Sequence, residues 1–438
     1  MTPAVRASLA VWMGATILLW PALFNGYPIL YSDTSAFLLQ SLAEMKAWDK
    51  PLVYGPWLSV LHLRETLWLP CLAQAVIVSY VLWMIRKTFA RPSVLHHIAV
   101  CLVLGGLTAT PWFVSLLMPD IFAPLTVLTL FLLAFCTRLT RTHTVLLVMI
   151  AALSIGVHLT HIVIAAGCLV VIAVMKSERL KLALLPLAIA LATLVATNIV
   201  YFEKVAISPF GSVFMLARLA TDGPAAEVLA QRCPAASWHM CHWKDTLPDD
   251  SDAFMWAGDG PVWSHPGGPI GLAPEASEIV LETLRHAPVA VLRSAIRNTW
   301  RQLFLVELGD TLHPDHLQLT VAQTLADYFP AAELEQFQSA LQANDTLAAE
   351  ASRLAKVQLV TMILGCLATL GLLIRALIVR DEQCAALVVM VLVGLCINAF
   401  ATGALSKPHL RYQTRIAWLL VLVPLVVPLS RKKHDIGS

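Results

Sequence analysis

Long apolar runs alternate along this chain with short polar hinges, and the length of each run decides what it can be. The runs fall near residues 8–30, 67–85, 94–110, 120–137, 144–157, 159–175, 182–200, 355–379, 384–405 and 414–430. A helix needs about 20 mainly apolar residues to cross the hydrocarbon core of a bilayer, so the pattern predicts an all-α polytopic membrane protein with about ten transmembrane helices. Runs 144–157 and 159–175 are short for a full crossing, since together they take about 32 residues where two spans and a turn need more than about 40. Their turn, "SIGVHLTH", is therefore expected below the membrane surface, where irregular backbone persists only if protein buries it or a watery cavity receives it.

From Tyr201 to Ser352 the hydropathy falls and Pro, Gly, Asp, Trp and His accumulate, as in "CHWKDTLPDDSDAFMWAGDGPVWSHPGGPIG". The chain thus divides into an N-terminal transmembrane module at 1–200 with its first outer loop at 31–66, an extracytoplasmic domain of helices and loops at 201–352, and a C-terminal module of three spans at 353–438. One segment of the middle domain has a clear helical period. Leu292, Ile296, Trp300 and Leu303 form one stripe, and Arg293, Arg297 and Arg301 recur every four residues on another. Such a helix, near 287–305, is expected to lie on the membrane surface. No internal repeat is evident.

Composition agrees: 58% of residues are hydrophobic, 13% are charged and the mean hydropathy is +0.73, against about 25% charged in soluble domains. A net charge of +2 from scattered basic residues gives no nucleic-acid footprint. The charges bear on direction instead. Arg6, Arg86, Lys87, Arg91, Arg138, Arg141, Lys176, Arg179, Lys181, Arg375, Arg380, Arg431, Lys432 and Lys433 fall on one side of the predicted spans, and only Lys46, Lys50, Arg64, Lys407, Arg411 and Arg415 on the other. The excess of basic residues in cytoplasmic hinges puts both termini in the cytoplasm and Asp33 outside. The first run is longer than the apolar core of a signal peptide and lacks a small-residue cleavage motif, so it is expected to remain as the first span.

Seven of the nine cysteines sit in or beside apolar runs and read as small hydrophobic residues. Cys233 and Cys241, in "CPAASWHMC", stand in the outward domain, where an oxidising compartment allows a disulfide. A zinc site of Cys233, Cys241, His239 and His242 is the alternative, without the paired CxxC spacing common in such sites. The "NDT" sequon at 344–346 is a single short match and decides nothing.

Three polar groups interrupt the apolar pattern at one depth. Asp33 follows the first run in "YPILYSDTSAFLL", and Asp120 opens the fourth in "MPDIFAP". Each alone reads as a helix cap; as a pair beside a cavity they read as acid/base groups or as ligands of a divalent ion such as Mg or Mn. "SKPHLRYQTR" brings Lys407, His409, Arg411 and Tyr412 to the outer loop before the last run. These serve either as an interfacial anchor or as an anion site in which a guanidinium engages phosphate through two parallel hydrogen bonds. His158 and His161 are spaced to share one helix face as metal ligands or proton carriers, or to cap a short helix hairpin.

Taken together, these residues resemble the GT-C superfamily of polytopic membrane glycosyltransferases, which use polyprenyl-phosphate-linked sugars on the outer side of the membrane. Asp33 matches the acidic residue of the first outer loop in that superfamily, Asp120 the acid at the next outer turn, Arg411 and Tyr412 a late "RY" segment, and "LRHAPVAVLRSAI" a surface helix after an "hP" dipeptide. Two features differ: Asp120 is a single carboxylate where an acidic pair is common, and the large outer domain lies between spans seven and eight. The resemblance implies transfer of a sugar to a glycan, lipid or protein acceptor, with Asp33 as general base, Arg411 assisted by Lys407 or His409 at the departing phosphate, and Asp120 positioning the acceptor or a divalent ion. It also implies the inner membrane of a Gram-negative bacterium, with the site facing the periplasm among membrane lipids. A transporter or lipid flippase would share the polar cavity but calls for paired halves, which are not seen. A noncatalytic assembly protein would use the outer domain to hold a partner.

Overall fold

The structure, a computed structural model, describes residues 2–233 and 235–428. Among these the chain is all α, with no strand and one isolated parallel bridge between Ile29 and Leu116. Every predicted apolar run is helical, but the count of ten full spans is corrected. Four helices are long and apolar enough to cross a membrane: Trp68–Phe89, Leu180–Phe202, Leu347–Val379 and Glu382–Gly403. The others are shorter, among them Pro3–Leu18, Val94–Leu107, Phe122–Phe135, Arg141–Gly156 and Leu159–Val174. The cause is local in two cases. The first run stops at Leu18, restarts as Trp20–Asn25 on Pro21, and ends at Gly26, whose φ of 83° suits only a residue without a side chain. The last run is split at Trp418 into Leu410–Ala417 and Leu419–Val426. Its predicted end, with the basic hinge Arg431 to Lys433, lies outside the described residues.

Phe122–Phe135 is apolar on every side and almost wholly buried, which marks it as the centre of the bundle. Around it pack Trp68–Phe89, Arg141–Gly156, Leu159–Val174 and Glu382–Gly403. Pro3–Leu18 lies between Trp68–Phe89 and Val94–Leu107.

The polar middle segment builds two different things. Helices Gly211–Thr221, Pro224–Arg232, Ser251–Trp256 and Gly268–His286 enclose a separate core of Val213, Leu216, Phe254, Leu272 and Ile279. Cys233 and Cys241 are joined in a disulfide within this unit, which removes both thiolates from the zinc alternative. Residues beyond Leu308 rejoin the main core through Leu312, Leu325 and Phe337. There Glu333 Oε1 accepts from the Tyr27 hydroxyl and the Leu67 amide, each at 2.7 Å, and ties Ala331–Ser339 to the start of the chain.

Candidate functional site

The two acidic segments adjoin because their backbones pair. The Ile29 amide donates to the Ser115 carbonyl and the Leu117 amide to the Ile29 carbonyl, each at 2.9 Å, and the Thr34 hydroxyl donates to the Leu117 carbonyl at 3.1 Å. Buried backbone that is neither helix nor sheet must find such partners. Gln342 serves the next residue: its Oε1 accepts from the Leu30 amide at 3.0 Å and its Nε2 donates to the Leu30 carbonyl at 2.7 Å. Asp33 and Asp120 are thereby carried to one end of the bundle.

Neither carboxylate is used as a cap. In the helix Ser32–Leu42 the capping bonds run between Tyr31 and Thr34, whose Oγ1 accepts from the Tyr31 amide at 3.0 Å. Asp33, one residue into the helix, has a side chain 36% exposed, and Lys50 Nζ lies 3.2 Å from its Oδ1. Lys50 also meets Asp49. Burial pushes the Lys50 ammonium down, but Asp33 and Asp49 outweigh it and hold the group above its ordinary value. Trp48 and Trp256 stand alongside, with ring centres 6.0 Å apart and Lys50 Nζ 5.9 Å from the Trp256 ring.

Asp120, in the turn Pro119–Ile121, is enclosed, and two arginines face it. Arg415 donates from Nη1 to Asp120 Oδ1 at 3.2 Å and from Nη2 to Asn398 Oδ1 at 3.0 Å and Thr160 Oγ1 at 3.2 Å. Arg411 Nε is 3.9 Å from the same Asp120 oxygen, an ion-pair distance but not a hydrogen bond. Its guanidinium carbon lies 4.6 Å from the Tyr31 ring centre and 4.9 Å from that of Tyr412. It also interacts electrostatically with Asp33. Arg411 Nε and Nη1 and Arg415 Nε are buried without a hydrogen-bond partner among the described residues. Two buried guanidinium groups therefore share one buried carboxylate and leave donors unused. Such groups are costly to bury without partners.

The remaining residues singled out in the sequence divide. His409 pairs through Nδ1 with Asp310, whose Oδ2 also accepts from the Arg411 amide at 2.9 Å, so His409 helps fix Arg411. Tyr412 is part of the cluster through its ring and through its hydroxyl, which accepts from Arg411 Nη2 at 3.3 Å. Lys407 points elsewhere, to Asp250 at 2.8 Å and Asp252 at 2.6 Å. His158 caps Leu159–Val174, accepting from the Thr160 amide at 3.2 Å, as its capping alternative anticipates. His161 donates from Nδ1 to the Ser154 carbonyl at 2.7 Å, which leaves Nε2 as a buried acceptor. The two rings are 5.2 Å apart.

No group of three or more His, Cys, Asp or Glu side chains is placed to hold a metal ion among the described residues. Asp33 and Asp120 each face cations, so the donor set does not fit the divalent ion considered from the sequence.

Arg415, Lys50, Tyr31, Asp310 and Asn398 complete the cluster and are marked by no motif in the sequence. Arg415 left a usable trace: it stands four residues after Arg411 in a helical segment and so shares its face. Comparison with protein-family models, curated proteins and solved structures gave no match.

Proposed function

We propose that this protein is a membrane glycosyltransferase that moves a sugar from a polyprenyl-phosphate donor to an acceptor hydroxyl on the extracytoplasmic side, in the inner membrane of a Gram-negative bacterium. The observation that carries this reading is the pair Arg411 and Arg415, buried around one carboxylate with N–H donors to spare. A phosphate monoester or diester supplies the missing acceptors and charge. A lipid-linked donor brings that phosphate to the depth at which the apolar helices meet the polar domain.

In the proposed reaction the acceptor hydroxyl gives its proton to Asp33 as its oxygen attacks the anomeric carbon. The bond from that carbon to the phosphate oxygen breaks, and polyprenyl phosphate departs with the electron pair. Arg411, over the rings of Tyr31 and Tyr412, stabilises the charge that grows on the phosphate. Arg415 and Asp120 act as positioning residues: Asp120 holds both guanidinium groups and is too enclosed to meet an acceptor. Direct displacement inverts the anomeric centre. The Asp33 side chain is partly open to solvent, which suits a base for a water-soluble or lipid-borne acceptor.

Sugar transfer by the purified protein from a radiolabelled polyprenyl-phosphate sugar, with extracytoplasmic glycans and lipids offered as acceptors, tests the reading. Donor-dependent incorporation that Arg411→Ala abolishes is the expected result. Movement of intact lipid-linked sugar across proteoliposomes, with no transfer, would replace it with the flippase alternative.

A further inference from the structure

The helix Pro288–Leu303 is packed the wrong way round for a helix in water. Its polar row, Ser294, Asn298 and Gln302, is buried, while Leu292, Ile296 and Trp300 are 60%, 62% and 66% exposed, with Val289 and Phe304 extending the same row. Single exposed leucines are ordinary, but a continuous row of large apolar side chains is not.

The buried row has structural causes. Gly403 lets the helix Glu382–Gly403 approach so closely that a Cβ there would lie 2.6 Å from the Asn298 carbonyl oxygen and 2.8 Å from Gln302 Cβ. Asn298 Nδ2 donates to Asp222 Oδ2 at 2.6 Å. Gln302 donates to the His409 carbonyl at 2.8 Å and accepts from the His409 amide at 2.7 Å. The polar side is therefore committed to the protein, and the apolar side faces outward.

The surroundings of that row identify its occupant. Glu382–Gly403, on which the helix rests, packs in turn against Leu347–Val379, and both are long and apolar enough to cross a membrane. Leu359, Val360, Ile363 and Leu364 on the latter are also exposed. Beside the row stand Arg293, Arg297 and Arg301, all exposed. Arg297 is 3.3 Å from Asp222, whereas Arg293 and Arg301 have no acidic partner among the described residues. An apolar stripe edged by free guanidinium groups complements a bilayer interface with anionic headgroups.

We infer that Pro288–Leu303 lies in the interface of the leaflet on the polar domain's side, with Leu292, Ile296 and Trp300 among acyl chains and Arg293 and Arg301 on the phosphates of anionic phospholipids. The same helix holds the loop that carries the site, because Gln302 grips His409 and Asp310 joins His409 to the Arg411 amide. An anionic lipid seat therefore steadies Arg411. None of this depends on sugar transfer.

The test uses the full chain in nanodiscs with Cys366→Ser and Cys396→Ser, carrying a fluorescent probe on Ile296→Cys. Brominated phosphatidylglycerol should half-quench the probe at a mole fraction about tenfold lower than brominated phosphatidylcholine, given the attraction of anionic lipid for two nearby arginines. Arg293→Gln with Arg301→Gln should erase that difference while leaving the quenching itself. Hydrogen exchange at the His409 to Arg411 amides should be slower in phosphatidylglycerol discs, and the double variant should remove the slowing. A probe that neither lipid quenches, equal quenching by both lipids in the parent, or cross-linking of the probe position between two copies would each overturn the inference.

Discussion

Arg415 donates to Asp120 across 295 residues of sequence, and both side chains are sealed from solvent. Removing Asp120 leaves two buried guanidinium groups, Arg415 and Arg411, without the carboxylate they share. Asp120→Ala should therefore destabilise the protein by about 3–5 kcal/mol, and Arg415→Met in the Asp120→Ala background should restore part of it, because it removes one of the two stranded charges and leaves Arg411. Thermal unfolding of the detergent-purified single and double variants measures this. Equal melting temperatures for Asp120→Ala and the parent would show that the pair contributes little to folding.

Arg411 differs from Arg415 in what surrounds it: two aromatic rings and a carboxylate at 3.9 Å, with Nε and Nη1 unpaired. Arg411→Lys keeps the positive charge and loses the planar fork and the stacking. On the proposed reaction, transfer should fall on the order of 10²-fold, as when a donor to a developing oxyanion is lost, with a change of only a few degrees in melting temperature. Donor binding and turnover equal to those of the parent would leave Arg411 as a structural counter-ion of Asp120.

Much of this site was legible in the chain, but unevenly. Asp33, Asp120 and Arg411 stood out because ionisable groups at the ends of apolar runs are expensive and so informative. What brings them together was not legible. The Ile29 to Leu116 pairing is backbone chemistry between residues that carry no polar signal, and Gln342 reaches Leu30 over a separation of 312 residues. Lys50 and Arg415 were visible only as counts in a charge balance, because sign alone does not say whether a cation meets headgroups or a buried carboxylate. The spans were over-counted for a similar reason. Hydropathy registers an apolar run whether or not it is one helix, and it did not register the breaks at Gly26 and Trp418.

Lys407 gives a pH-dependent contact away from the cluster. Burial pushes the Asp250 carboxyl up, but hydrogen bonds from Lys407 and from the Asp252 and Ala253 amides outweigh it and lower it below the ordinary 3.8. A depressed carboxylate contributes stability that is complete above its unfolded value and is lost as pH falls through the folded one. Lys407 is raised, chiefly by Asp250 and Asp252 against burial, so its share is present at neutral pH and lost only at strongly alkaline pH. Both groups are partly exposed, so the pair contributes about 1 kcal/mol or less. Asp250→Asn should lower the melting temperature slightly at pH 7 and not at all once the parent is acidified below the carboxylate range. A deficit that persists unchanged in acid would assign the effect to packing.

The disulfide between Cys233 and Cys241 closes a short loop, with a sequence separation of 8. Replacing both by Ser should cost about 2–3 kcal/mol on the chain-entropy account. The loss should fall on the domain with its own core and leave the Arg411 cluster intact. Limited proteolysis near residues 233–241 should accelerate in the double variant while transfer activity is retained; loss of activity with unchanged proteolysis would reverse that assignment.

Asp33 separates chemistry from architecture most cleanly. Its side chain is the more open of the two carboxylates, it carries no capping bond, and among the described residues its ion pair is to Lys50 at 3.2 Å. Asp33→Asn preserves size and first-turn geometry and removes the proton acceptor. A helix-end residue so changed would lose a few tenths of a kcal/mol and little activity. A general base would lose on the order of 10²-fold or more in turnover with donor binding and melting temperature nearly unchanged. Lys50→Gln is the companion variant, because it leaves the carboxylate and takes away its neighbouring charge. If Asp33 accepts the proton, Lys50→Gln, which keeps that carboxylate, should retain most of the turnover that Asp33→Asn loses. Turnover of both variants, beside their thermal unfolding, decides the matter: a stable Asp33→Asn protein with near-normal transfer removes Asp33 from the reaction.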